Sequence, residues 1–126
     1  MRLKTKQEIV DLINSSELDI TNLHYVCSTP TLITALVTHP LYHYDENDED
    51  LNYGEVEEIV RGDMEKVYEQ SYGDGNLLEV TILIKPYNLY ISFEGTDSSY
   101  ADVWFKKCYI SVPYEHTETR YKKAEQ

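Results

Sequence analysis

Two cysteines, one tryptophan, two phenylalanines, five glycines and four prolines are all that the 126 residues hold of these types, and basic residues number only 11. Cys27 and Cys108 stand far apart and in no CxxC pair. That excludes a disulfide scaffold and a cysteine-based zinc motif, and leaves two reduced thiols of the kind usually found in cores. No apolar run approaches the ~18 residues that a membrane helix needs, and Met1 to Val10 lacks the apolar centre of a signal peptide. A cytoplasmic protein with no membrane partner is the expectation. The shortage of bases is itself informative, because 23 acidic residues against 11 basic ones leave a formal charge of −12. Such a field repels nucleic acid and anionic membranes and attracts cationic partners, so direct nucleic-acid binding is not expected.

What is present is a chain of ordinary single-domain length, 1–126, able to bury about two-thirds of its unfolded surface without a metal or cofactor. Its apolar fraction of 41% includes 12 tyrosines. Tyrosine is half apolar and half wet, tolerated in cores when its hydroxyl is bonded and enriched at interfaces. This bias favours a contact surface.

Thr5 followed by Glu8 is a capping box, and Ile9, Leu12 and Ile13 fall on one helical face, which predicts a helix over about 5–15. Thr29, Pro30 and the stripe Leu32, Ile33, Leu36 and Val37 predict a second helix over about 30–38, ended by Pro40. Two close helices invite a helix-turn-helix reading, but residues 30–38 hold no Lys, Arg, Asn or Gln to reach bases or phosphates. Residues 56–68 are compatible with one continuous helical stripe, or with a helix near 55–61 followed by a strand near 64–71. Leu78, Val80, Ile82 and Ile84, then Leu89, Ile91 and Phe93, alternate with other residues around Pro86, Tyr87 and Asn88, the pattern of a β-hairpin. Ile82, Ile84, Ile91, Phe93 and Ile110 are the expected shared core. Trp104 to Val112 alternates again, with Trp104, Cys108, Ile110 and Val112 on one face, and Thr117 to Lys122 has the composition of an edge strand. The expected fold is α+β, with N-terminal short helices followed by an antiparallel β-meander of about four strands.

Leu89 to Gly95, Ser98-Ser99-Tyr100, Tyr109 to Glu115 with Pro113, and Tyr121 together resemble the C-terminal pattern of small acidic proteins encoded by tailed bacteriophages. The resemblance covers residues 64–121. It departs at Lys106-Lys107, where that pattern is more often acidic. It implies origin and fold, and a small protein that binds and disables or redirects a host protein. It implies no reaction.

His39 and His43 precede an acidic run, but Pro40 breaks the helix that would aim both imidazoles at one metal. An EF-hand starting at Asp45 would need Gly at its sixth position and Glu at its twelfth, where Asp50 and Val56 stand. Neither cysteine lies in a catalytic motif, although His24 is three residues before Cys27. Gly73-Asp74-Gly75 reads as a turn, since aspartate opposes phosphate. No enzyme, cofactor or metal is expected.

One stretch remains. Asp45, Glu46, Asp48, Glu49, Asp50, Glu55, Glu57 and Glu58 follow Tyr42 and Tyr44 with no Lys or Arg before Arg61. These ten acidic and aromatic residues are the expected partner-binding set, in a self-repelling, exposed segment. The partner they fit is a host protein with a basic surface, such as a nucleic-acid-binding protein, with carboxylates imitating phosphates. The alternative is an assembly protein that associates with itself through its sheet.

Overall fold

The computed structural model describes residues 1–15, 41–43, 45–46, 51–71, 77–97, 103–114 and 120–124. In chain order they form β1 (Arg2–Leu3), α1 (Lys6–Asn14), β2 (Tyr42–His43), α2 (Tyr53–Asp63), β3 (Met64–Ser71), β4 (Leu77–Ile84), a 3-10 turn (Lys85–Tyr87), β5 (Leu89–Asp97), β6 (Val103–Tyr114) and β7 (Arg120–Lys123). β1 and β2 pair antiparallel, and β3 to β7 make a five-stranded antiparallel sheet in simple sequence order.

The α+β class agrees with the sequence pattern, but the placement differs. The meander has five strands instead of about four, because residues 64–71 are a strand and the continuous helical stripe over 56–68 does not form. The second described helix is therefore α2, directly before the sheet, and not in the first forty residues. The helix expected over 30–38 lies outside the described residues; Leu41, just past Pro40, has helical backbone. The small β1–β2 sheet has no sequence signature, since two strands of two residues are too short to show alternation.

α1 begins as its sequence dictates. The Thr5 hydroxyl accepts from the Glu8 backbone N–H at 3.2 Å, and Glu8 Oε1 accepts from the Thr5 N–H at 3.0 Å. Ile9 and Ile13, one turn apart, carry its buried face. The other carboxylate oxygen of Glu8 meets His43 Nε2 at 2.9 Å, tying α1 to β2. α2 is capped by Asn52, whose Oδ1 accepts from the Glu55 N–H at 2.9 Å, and it buries Val60.

Both helices cover one face of the sheet. Leu78, Val80, Ile82 and Ile84 on β4 and Ile91 and Phe93 on β5 are fully buried there with Ile9, Leu41, Val60 and Met64. Ile110 packs against this core from a half-buried position, because β6 lies one strand further from its centre. Val112 is 39% exposed. A bulge after Glu94 sets Gly95 opposite Phe105, so Trp104 pairs with Thr96 and falls out of phase with Cys108 and Ile110. The expected common face of Trp104 with those residues therefore does not hold at the level of register.

The β4–β5 connection fastens the layers. Asn88 adopts the left-handed conformation, φ 49°, which asparagine tolerates. The Tyr87 hydroxyl donates to the Lys4 carbonyl at 2.8 Å and Lys85 Nζ to the Arg61 carbonyl at 3.1 Å, near the end of α2.

Two outcomes follow. Ile91→Asp places an unpaired charge at the centre of the core and should lower stability by about 3 kcal/mol or more, read from denaturant unfolding. Glu8 is held below the ordinary carboxylate value of 4.5, first by the hydrogen bonds with Thr5 and then by His43. A carboxylate whose pKa is lower folded than unfolded contributes stability above the unfolded value and loses it as pH falls. Wild type should therefore lose more melting temperature than Glu8→Gln on acidification below 4.5.

Candidate interaction faces

The described residues present two unlike sides, one on the helices and one on the sheet face opposite them. The expected partner-binding residues belong to the first, and their described members divide by local role. Tyr42 is 3% exposed, and its hydroxyl donates to Asp63 Oδ2 at 2.8 Å, so it is a core residue and cannot anchor a partner without unfolding this corner. Glu55 accepts from Asn52 Nδ2 at 2.7 Å and so takes part in capping α2. Glu57 pairs with Arg61 one turn on, at 3.5 Å. Asp45, Glu46, Glu55 and Glu58 are exposed. Tyr44, Asp48, Glu49 and Asp50 lie outside the described residues. The expectation that acidic and aromatic groups share this surface thus fails at Tyr42, which is buried and bonded to Asp63 at the end of α2 while Asp45, Glu46, Glu55 and Glu58 are exposed.

The sheet face opposite the helices holds a cluster of tyrosines. Thr81, Ser92 and Ser111 lie on this face, are nearly fully buried and form a chain of hydroxyls, 2.7 Å from Thr81 to Ser92 and 2.8 Å from Ser92 to Ser111. Buried hydroxyls need such partners. The tyrosine rings of this face meet one another: Tyr90 and Tyr121 centroids are 5.2 Å apart, and Tyr68 and Tyr121 are 5.9 Å apart. Tyr68 and Tyr121 belong to opposite edges, β3 and β7. In a flat sheet these edges would stand about 19 Å apart, four spacings of about 4.8 Å. Rings in contact across that width require the sheet to curl toward this face.

Tyr68 reaches the face through a bulge. Lys66 pairs with Ile82 but Tyr68 pairs with Thr81, so the alternation slips by one residue at Val67. Without the slip Tyr68 would point into the core with Met64. Sequence periodicity could not show this, because a bulge removes the period on which such reading rests. Tyr90, Ser92 and Glu94 kept a legible alternation.

Charges frame the tyrosines. Glu65, Glu79 and Glu94 stand on β3 to β5, and Lys107 and Lys123 on β6 and β7. Burial above all, then the Glu94 charge and its hydrogen bond, and then Glu79, push the Tyr109 phenol well above the usual tyrosine range. It therefore remains a donor to Glu94. Burial and the proximity of Tyr90 and Glu65 raise Tyr121 likewise.

Cys108 is half-buried against the core, and burial pushes its thiol up to about 12. That setting disfavours the thiolate, the reactive form. His43 is engaged with Glu8, and among the described residues no three His, Cys, Asp or Glu side chains converge as metal ligands would. Among them, too, no helix is long and apolar enough to cross a membrane. No known protein family, curated protein or solved structure matches the chain.

Tyr42→Phe should lower stability by about 1 to 2 kcal/mol, the cost of a lost hydrogen bond to a carboxylate. It should leave binding of any partner unchanged once the protein is folded. A thermal melt beside an affinity measurement checks both.

Proposed function

We propose that this chain is a small acidic binding protein, encoded by a phage and acting in the host cytoplasm, that modulates or inhibits a host protein by occupying its basic surface. The observation that carries the reading is the exposure of Asp45, Glu46, Glu55 and Glu58 on the helical side, where Arg61 is held to Glu57. Carboxylates spaced along a helix and its approach can stand in for nucleic-acid phosphates, so the partner is a nucleic-acid-binding protein. The surplus charge steers encounter, and a few desolvated contacts set the affinity. With Tyr42 in the core, the contact on this side rests on the carboxylates. The resemblance over residues 64–121 supports a phage origin.

Partners captured from a bacterial lysate and released by moderate salt supply the ligand for the test. The variant with Asp45, Glu46, Asp48, Glu49 and Asp50 replaced by Asn or Gln should bind that ligand more weakly, with a flatter salt dependence and an unchanged melt. Exposed like charges add little to stability, whereas their summed field governs association. Equal affinities for wild type and variant at low and high ionic strength would remove the electrostatic mechanism.

A further inference from the structure

Two tyrosines of the sheet are held close enough to react with each other. Tyr90 belongs to β5 and Tyr121 to β7, with β6 between them, yet their ring centroids are 5.2 Å apart and their planes 39° from parallel. The register accounts for the contact. Tyr90 pairs with Ser111 of β6, Ser111 with Lys123, and Tyr121 stands opposite Pro113. The β6 residue between Tyr90 and β7 is thus a serine, too short to hold the rings apart. Tyr68 also meets Tyr121, but at 5.9 Å and with the planes 51° apart.

A tyrosine phenol can lose an electron and its hydroxyl proton together, which leaves a phenoxyl radical with its spin on the oxygen and on the ring carbons ortho to it. Two such radicals on separate molecules must first find each other. Here the second ring is already in place, the situation in which proximity gives the largest advantage. Both rings are half-buried. Electron removal acts through several ångströms of protein, so the coupling needs no open surface.

The setting of Tyr121 suits this chemistry. Burial first, then Tyr90 and then Glu65 raise its phenol above the usual range, so it keeps its proton at neutral pH. The part played by Tyr90 implies that the two phenol oxygens lie near each other, and the ortho carbons flank those oxygens. Glu65 supplies a carboxylate to take the proton as the electron leaves.

We infer that Tyr90 and Tyr121 are an oxidative modification site, where a one-electron oxidant fed by a peroxide joins them through a carbon–carbon bond between ortho ring carbons. Each phenol gives up one electron and one proton. The radicals couple, each joined carbon sheds its hydrogen as a proton, and each oxygen regains one, which restores both phenols. The net loss is two electrons and two protons. The electrons break the O–O bond of one peroxide, and the protons pass to its products or to water. The new bond ties the four-residue edge strand β7 to the central β5. It also closes a loop of chain and so lowers the entropy of the unfolded state, as a disulfide does. The inference goes beyond the binding reading above and does not rest on it.

The test illuminates the full folded chain with a ruthenium polypyridyl photosensitiser and persulfate, a peroxide that leaves two sulfates. Digestion after glutamate puts Tyr68, Tyr90 and Tyr121 in separate peptides, 66–69, 80–94 and 119–125. Mass spectrometry should find the second joined to the third with the loss of two hydrogens, and fragmentation should place the link at Tyr90 and Tyr121. The joined fraction should not change when the protein is diluted, because both rings belong to one chain. Tyr90→Phe and Tyr121→Phe should each lose the product, Tyr68→Phe should retain it, and the chain unfolded in denaturant should form far less of it. The joined chain should melt above the unjoined one. Phenylalanine keeps the ring, and a melt shows that each variant is folded; were one to unfold, the peptide map of wild type still decides. Absence of the joined pair in folded wild type overturns the inference. So does a yield that falls on dilution, an equal yield from the unfolded chain, or a link from Tyr121 to Tyr68 in place of Tyr90.

Discussion

Leu78, Val80, Ile82 and Ile84 on β4, with Ile91 and Phe93 on the paired β5, give one sheet face so apolar that it must be covered. That requirement organises the rest of the chain. α1 contributes Ile9 and Ile13, α2 contributes Val60, and the β1–β2 pair brings Leu41 and Tyr42 to the same core. The β4–β5 turn is itself a clasp, since Tyr87 holds the N-terminal segment and Lys85 the end of α2. Cover and covered face are therefore joined where the hairpin reverses, by contacts that span 83 and 24 positions of the chain.

The opposite face obeys a different rule. Its central positions are hydroxyls, not aliphatic groups, and burial of Thr81, Ser92 and Ser111 is tolerated because each bonds to the next. The tyrosines of the same face meet one another ring to ring, and Tyr109 donates to Glu94. Lys66 marks the boundary of the two faces at the β3 edge: it stands opposite Ile82, and its ammonium meets Glu69 at 2.5 Å. A long side chain of this kind lays its methylenes along apolar surface and keeps its charge at the margin.

The legible parts of the fold were those with a period or a cap. The Thr5–Glu8 box located α1, and the alternation through Leu78 to Ile84 and Leu89 to Phe93 located the hairpin and its core. Where the chain slips by a residue, the reading lost its footing: the bulge at Val67 blurred β3 into a helical pattern, and the one after Glu94 moved Trp104 out of phase. Tyr42 misled for another reason. Its place beside an acidic run looked like an exposed anchor, but one residue of strand alternation and a bond to Asp63, 21 positions away, put it inside. Sequence neighbourhood says which charges share a segment, whereas only the register says which side chains share a face.

That distinction bears on how a charge of −12 is spent. The acidic run supplies exposed carboxylates on the helical side, where Arg61 is already engaged with Glu57. Of the bases on β6 and β7, Lys107 and Lys123 stand on the tyrosine face, in register with Glu94 and Ser111, so this face is less acidic than the whole. An evenly spread charge would only keep the molecule soluble and its copies apart. Segregated charge does more, because at distances beyond a screening length a partner responds to the side it approaches and not to the net value. The helical side, where Asp45, Glu46, Glu55 and Glu58 are exposed, therefore presents a more anionic field than the tyrosine face, where Lys107 and Lys123 partly offset Glu65, Glu79 and Glu94.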